Sequence, residues 1–119
     1  MTDQRRERGQ KSEALAEAAL LRAGYTIVER NWRTAIGEID IIAQHNDELV
    51  FVEVRMRYDG VEAAMESIGK RKQSRLKKLA QEYLNANQLD DSAFRFDAVI
   101  IGIEKGKRVV EIIENAVDW

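Results

Sequence analysis

Gly37-Glu38-Ile39-Asp40-Ile41-Ile42-Ala43-Gln44-His45-Asn46-Asp47-Glu48-Leu49-Val50-Phe51-Val52-Glu53-Val54-Arg55 decides the fold. Two apolar, β-branched runs, Ile36 to Ala43 and Leu49 to Tyr58, flank a polar centre whose Asn-Asp pair suits a tight hairpin turn. With Asn46 and Asp47 as the loop, residue 44 faces 49, residue 42 faces 51, and Asp40 faces Glu53. Period-two alternation puts Val50, Val52, Val54 and Met56 on one face and Leu49, Phe51, Glu53, Arg55 and Arg57 on the other. The earlier strand matches it, with Ile39, Ile41 and Ala43 on the apolar side and Glu38, Asp40 and Ile42 opposite. One face is core throughout. The other is apolar near the turn and charged away from it.

Two acids opposed at a Cβ separation of about 4.5–5.5 Å repel each other, so something must offset the charge. Mg²⁺ does so with hard oxygen ligands and also takes a substrate phosphate, while Arg55 on the same face lies where it can contact that phosphate. The other reading is a solvated ion-pair network in which Arg55 or Arg57 neutralises both acids. From spacing alone that network is the commoner arrangement.

Working outward, Ser12 to Arg22 is rich in helix formers, with Ser12 as N-cap and Gly24 at the C-terminal cap, so a helix is expected over about 12–23. Tyr25 to Arg30 reads as a strand. After Gly60 the chain turns helical: Ser67 can cap, and Leu76, Leu79, Ala80 and Tyr83 mark one buried stripe of a long helix ending near Asn87. Phe94 to Ile101 and Val109 to Ile113 are two further strands about a Glu104-Lys105-Gly106-Lys107 turn. The order is α-β-β-β-α-β-β. No repeat, low-complexity tract or proline marks a linker, so residues 1–119 form one domain with a flexible 1–11 lead.

Composition narrows the chemistry. With 45% hydrophobic residues over 119 positions the chain supports one core. Lack of cysteine excludes disulfides, a cysteine nucleophile and Cys-based zinc sites, and a lone His45 cannot build a multi-histidine site. A reducing, cytoplasmic setting is expected, with no membrane span and no apolar signal core near the start. A net charge of −2 favours no polyanion, so any nucleic-acid surface must come from local clustering. Lys70-Arg71-Lys72-Gln73-Ser74-Arg75-Leu76-Lys77-Lys78 is such a cluster, without an acid. On a helix Arg71, Ser74 and Lys78 lie opposite Leu76, with Arg75 and Lys77 flanking, a ridge suited to phosphates as well as to plain solvation. Trp32, Tyr58 and Trp119 are read as packing residues, and His45 as an exposed turn residue. Asp97 either bonds near the sheet end or supports the site. Gly69-Lys70 lacks the rest of a phosphate-binding P-loop.

Gly37-Glu38-Ile39-Asp40 and Phe51-Val52-Glu53-Val54-Arg55 resemble the PD-(D/E)xK nuclease motif. Together with Asn31-Trp32-Arg33, Arg57-Tyr58, Ser67, Lys72 and Arg95-Phe96-Asp97, over about residues 9–101, the chain resembles the YraN family of small bacterial proteins, related to archaeal Holliday junction resolvases. The resemblance implies a mixed α/β, restriction-endonuclease-like core, a mixed central sheet flanked by helices, and a Mg²⁺- or Mn²⁺-dependent phosphodiesterase centre. Asp40 and Glu53 fall on the metal-binding acids, the Val54 carbonyl adds a ligand, and Glu13 falls on the extra acid of resolvase-like relatives. Ser12 departs from the glycine that often precedes that acid. Arg55 falls on the lysine position, where a permanently protonated guanidinium suits phosphate clamping better than proton transfer. The expected function is a structure-directed DNA endonuclease acting on branched or flapped DNA, as a homodimer by analogy with resolvases. The alternatives are a catalytically inactive nucleic-acid-binding module and a protein scaffold pairing through the Val109 to Ile113 edge.

Overall fold

The hairpin turn forms as its composition demands: Asn46 and Asp47 both take positive φ, 50° and 64°, the backbone of a two-residue turn matched to strand twist. In the computed structural model, which describes residues 3–57 and 61–117, this turn joins β2 (Gly37–His45) to β3 (Glu48–Arg57). Pairing runs from His45↔Glu48 to Ile41↔Val52, the expected register, and stops there. Preceding them are α1 (Asp3–Arg22) and β1 (Thr26–Thr34); following them are α2 (Val61–Glu66), α3 (Lys70–Ala86), β4 (Phe94–Glu104) and β5 (Lys107–Ile113). The five strands form one sheet in sequence order, with β3 and β4 parallel across the α2–α3 crossover and the other pairs antiparallel. The chain is therefore a mixed α/β protein in the expected order, its second helical block split in two.

Two cores sandwich the sheet. Ala16 and Leu20 of α1, with Tyr25, pack on Ile41, Ala43, Val50, Val52, Val99 and Ile101. On the opposite face the anticipated α3 stripe of Leu76, Leu79, Ala80 and Tyr83 packs on Ile42, Phe51, Phe96, Ala98 and Ile100. Trp32 is a packing residue, edge-on to Tyr83 at 5.3 Å between ring centroids. Among the described residues no helix is long and apolar enough to cross a membrane.

Four local expectations are corrected. Helix α1 begins at Asp3, not at 12, because the polar residues before Ser12 are themselves good helix formers. Ser12 is consequently not a cap but a buried mid-helix hydroxyl whose Oγ lies 3.8 Å from Met56 Sδ. Ser67 does not cap α3; Gly69 occupies the N-cap position, with no side-chain bond. Ile39 joins the α3-side core instead of packing with Ile41 and Ala43. Beyond Ile41 strand β2 is held by β1 alone, through Trp32↔Ile39 and Arg33↔Glu38, opposite a stretch of β1 in which Asn31 takes a positive φ of 51°. The α1 C-terminus is as expected: Gly24 at φ 92° sits between Gly24 N–H to Leu21 O and Tyr25 N–H to Leu20 O, closing the helix with a left-handed cap. Tyr58 and Trp119 lie outside the described residues.

Candidate active site

The fork where β2 parts from β3 lets both helical layers reach one place. Past Ile41↔Val52 the strand pairing is replaced by a side chain: Val54 N–H donates to Asp40 Oδ2 at 2.9 Å. Since N–H and C=O of one strand residue point to the same edge, the Val54 carbonyl also faces this fork. Glu13 arrives from α1 and Glu38 from β2, and their carboxylates meet that of Asp40 with one oxygen from each within 4.8 Å of the others. Glu53 stands outside this trio but, with Glu38 and Asp40, lines a cleft of about 250 Å³, whose other walls are Lys72 and Arg75 over Leu76 and Leu79. The two acids expected to face each other are not ladder partners, since the pairing ends one residue short of them, but both line this cleft. Gly37 completes the cleft at φ 153°, where a Cβ would sit 3.4 Å from both Arg75 Cδ and Leu79 Cδ1.

The electrostatics are unbalanced. Burial, then the neighbouring Glu53 charge, push the Asp40 carboxyl up to about 7, against the bond from Val54 N–H, with Glu13 and Glu38 adding to the rise. Burial also raises Glu13, countered by a hydrogen bond from the Asn31 side chain. Glu38 is bonded by Arg33 Nε at 2.7 Å. Glu53, with 7% of its side chain exposed, is met by Lys72 Nζ at 2.9 Å and by Arg55 Nε at 3.4 Å, both on Oε1. The second contact is electrostatic only, because Arg55 Nε is buried and has no aligned acceptor. Hard carboxylate oxygens crowded beyond their cations are the donor set a Mg²⁺- or Mn²⁺-sized ion prefers.

Of the residues singled out by sequence, Glu13, Asp40, Glu53, Arg55, Lys72 and Arg75 come together at this fork. Lys70, Arg71 and Lys78 lie exposed along α3, and Lys77 is half-buried. Glu38 was not anticipated as part of the site, although its spacing of two from Asp40 on one strand face was the signal. Lys72 was expected to belong to a phosphate ridge, but its ammonium turns into the cleft.

His45 is not an exposed turn residue. It stacks on Tyr25 at 4.0 Å between centroids and accepts a bond at Nδ1 from Arg95 Nη2 at 2.7 Å. Arg95 also donates to Asp97 and to Glu48, and Tyr25 OH donates to Asp97 Oδ2 at 2.6 Å. Asp97 therefore belongs to a buried knot with Tyr25 beneath α1, on the sheet face opposite the cleft.

Fold and cleft define the class: a mixed α/β domain whose parted strands carry an acidic pocket bordered by a basic helix. The chain belongs to the UPF0102 family; the family model described as "Uncharacterised protein family UPF0102" matches residues 12–101. Similar relatives include a UPF0102 protein of Moorella thermoacetica, 44% identical over 119 residues and covering 98% of this chain and 99% of that protein. A UPF0102 protein of Chloroflexus aurantiacus is 43% identical over 112 residues, covering 93% of this chain and 91% of its own. Among solved structures, Pyrococcus furiosus SfsA in complex with Ca²⁺ is similar with TM-score 0.40 and 17% identity, over 96% of this chain and 65% of that one. That likeness is too distant to bear on the site.

Proposed function

We propose that this protein is a metal-dependent, structure-directed DNA endonuclease with a nuclease-like core, acting on branched or flapped DNA as a two-fold dimer. The observation that carries the reading is that Glu38, Asp40 and Glu53 line one cleft walled by Lys72 and Arg75 of the basic helix, while Glu13 of α1 meets Glu38 and Asp40. Asp40, Glu13 and Glu53, with the Val54 carbonyl, would hold the cation, and Asp40 is oriented by the Val54 N–H on its Oδ2. A bound Mg²⁺ or Mn²⁺ supplies a water acidic enough to attack phosphorus and a positive charge beside the scissile phosphate. Arg55, permanently protonated and with no hydrogen-bond acceptor at its Nε, holds a phosphate oxygen. Lys70, Arg71, Arg75 and Lys78 guide the backbone toward the cleft.

A panel of branched, flapped and linear DNAs incubated with Mg²⁺ or Mn²⁺ tests the reading. Cleavage is expected with metal and should fall by roughly a hundredfold or more in Asp40→Asn and Glu53→Gln. Undiminished cleavage in both variants removes this cleft from consideration. One observation favours a second reading, a binding module without turnover: Arg55 stands at the lysine position and Glu53 is already neutralised by Lys72. That module would shift branched DNA in a salt-dependent way and cleave nothing at any metal concentration.

A further inference from the structure

Glu53 is almost out of water, and two cations crowd a single one of its oxygens, while nearby Asp40 is bonded by the Val54 N–H and Glu13 by the Asn31 side chain, neither of them a cation. A carboxylate so desolvated needs a counter-ion. Arg55 serves poorly, because at 3.4 Å its Nε is out of hydrogen-bonding alignment. Lys72 serves well, at 2.9 Å, and its ammonium sits on a flexible four-carbon stem with 29% of the side chain exposed. It springs from the first turn of α3, whose exposed face carries Arg71, Arg75 and Lys78.

We propose that Lys72 is a built-in counter-ion for the cleft: it neutralises Glu53 while no divalent cation is bound and passes to a substrate phosphate when one binds. This inference rests on the metal-dependent nuclease reading and names how that site couples its two ligands. With a divalent cation bound, Asp40 and Glu53 would hold it, and Lys72 would lose Glu53 as its partner. The lysine then gains most by turning along its stem to an anion at the cleft mouth, where the α3 cations already favour phosphate. Metal and phosphate binding thereby assist each other through one side chain, and the assistance is reciprocal.

Calorimetry of Mn²⁺ binding to the wild type and to Lys72→Met, without nucleic acid, tests the first half. Removing the competing ammonium is expected to tighten Mn²⁺ binding by roughly tenfold, the scale of one partly screened unit charge. Lys72→Arg, which keeps the charge, should stay within about threefold of wild type. Binding of a phosphorothioate flap DNA, with and without Mn²⁺, tests the second half: the gain in DNA affinity on adding Mn²⁺ should shrink several-fold in Lys72→Met. Thermal unfolding adds a readout that does not depend on titrating binding. The Met variant should melt lower than wild type without metal, and Mn²⁺ should raise it by more; Lys72→Gln, which keeps a donor to Glu53, should fall between the two. Normal Mn²⁺ uptake by wild type with equal affinity and equal stabilisation in Lys72→Met overturns the counter-ion role alone. No Mn²⁺ uptake by any of the proteins, with or without the DNA, overturns that role together with the nuclease reading.

Discussion

Asp40 is where the cost of the cleft is concentrated. Burial and the facing Glu53 raise its carboxyl from the ordinary 3.8 to about 7, so the folded protein holds a proton that the unfolded chain releases. Below about pH 4 both states are protonated and the associated stability is complete; as pH rises toward 7 the unfolded chain binds fewer protons, and that stability is progressively lost. In metal-free buffer the protein should therefore be more stable to urea at pH 5 than at pH 8. Asp40→Asn keeps an oxygen for the Val54 N–H and removes the charge, so it should stabilise the metal-free protein at pH 8 by about 1–3 kcal/mol and shrink the difference between the two pH values. Glu13, raised in the same direction, supplies what remains of it. An undiminished pH difference in the variant would show that the load lies elsewhere. That Asp40 and Glu53 lie near each other was legible in the sequence because a two-residue turn fixes register as far as Ile41↔Val52, one position short of them. The approach of Glu13 to Glu38 and of Lys72 to Glu53 was not, since no local rule says which helix crosses which strand end.

At the scale of elements, α3 is built against its own dipole. Its first turn holds Lys70, Arg71 and Lys72, no acid, and its Gly69 N-cap makes no side-chain bond, so the positive helix end is surrounded by more positive charge. Such a turn is poor for helix stability and good for an anion, which fits a phosphate-facing helix. Arg71 is exposed, so Arg71→Glu should stabilise the protein by about 0.3–1 kcal/mol in urea titrations at low salt while weakening DNA binding. Arg71→Ala with Lys78→Ala should flatten the logarithmic salt dependence of duplex affinity by about one unit for each phosphate no longer neutralised, leaving Mn²⁺ affinity intact. A variant that kept the wild-type salt slope would take α3 out of the DNA interface. The α3 stripe was legible because four apolar residues repeat at helical spacing over a uniformly polar background. The start of α1 was not, because Asp3 to Lys11 have helical propensity without an apolar stripe. Ile39 changed layer where β2 parts from β3, opposite a stretch of β1 interrupted by the positive φ of Asn31, an irregularity that no apolar pattern marks.

For the whole molecule, two polar assemblies lie on opposite faces of one sheet and obey opposite energetics. The cleft gathers like charges with too few partners, and substituting one acid there relieves repulsion. The knot beneath α1 is fully paired: Asp97 Oδ1 accepts from Arg95 Nε at 3.0 Å and from the Asn115 N–H at 3.1 Å, and Oδ2 accepts from Tyr25 OH and from Arg95 Nη2 at 3.0 Å. It ties the end of α1, the β2–β3 turn through His45 and Glu48, and the segment after β5 to strand β4. The sequence left the role of Asp97 open because its partners lie as far as 72 positions away. Asp97→Asn should destabilise the protein by about 3–5 kcal/mol, since Arg95, 5% exposed, would keep its charge and lose its buried carboxylate partner, with only the more exposed Glu48 carboxylate left within 3.1 Å. That is a large share of the roughly 5–15 kcal/mol that holds a domain of this kind together. Urea unfolding of Asp97→Asn beside Asp40→Asn at pH 8 without metal makes the contrast direct: one isosteric acid-to-amide change lowers the midpoint and the other raises it. Mn²⁺ affinity should behave the other way round, lost in Asp40→Asn and kept by the folded fraction of Asp97→Asn. Two midpoints moving in the same direction would mean that the cleft acids are compensated as completely as the knot, and the electrostatic case for a cation there would fall.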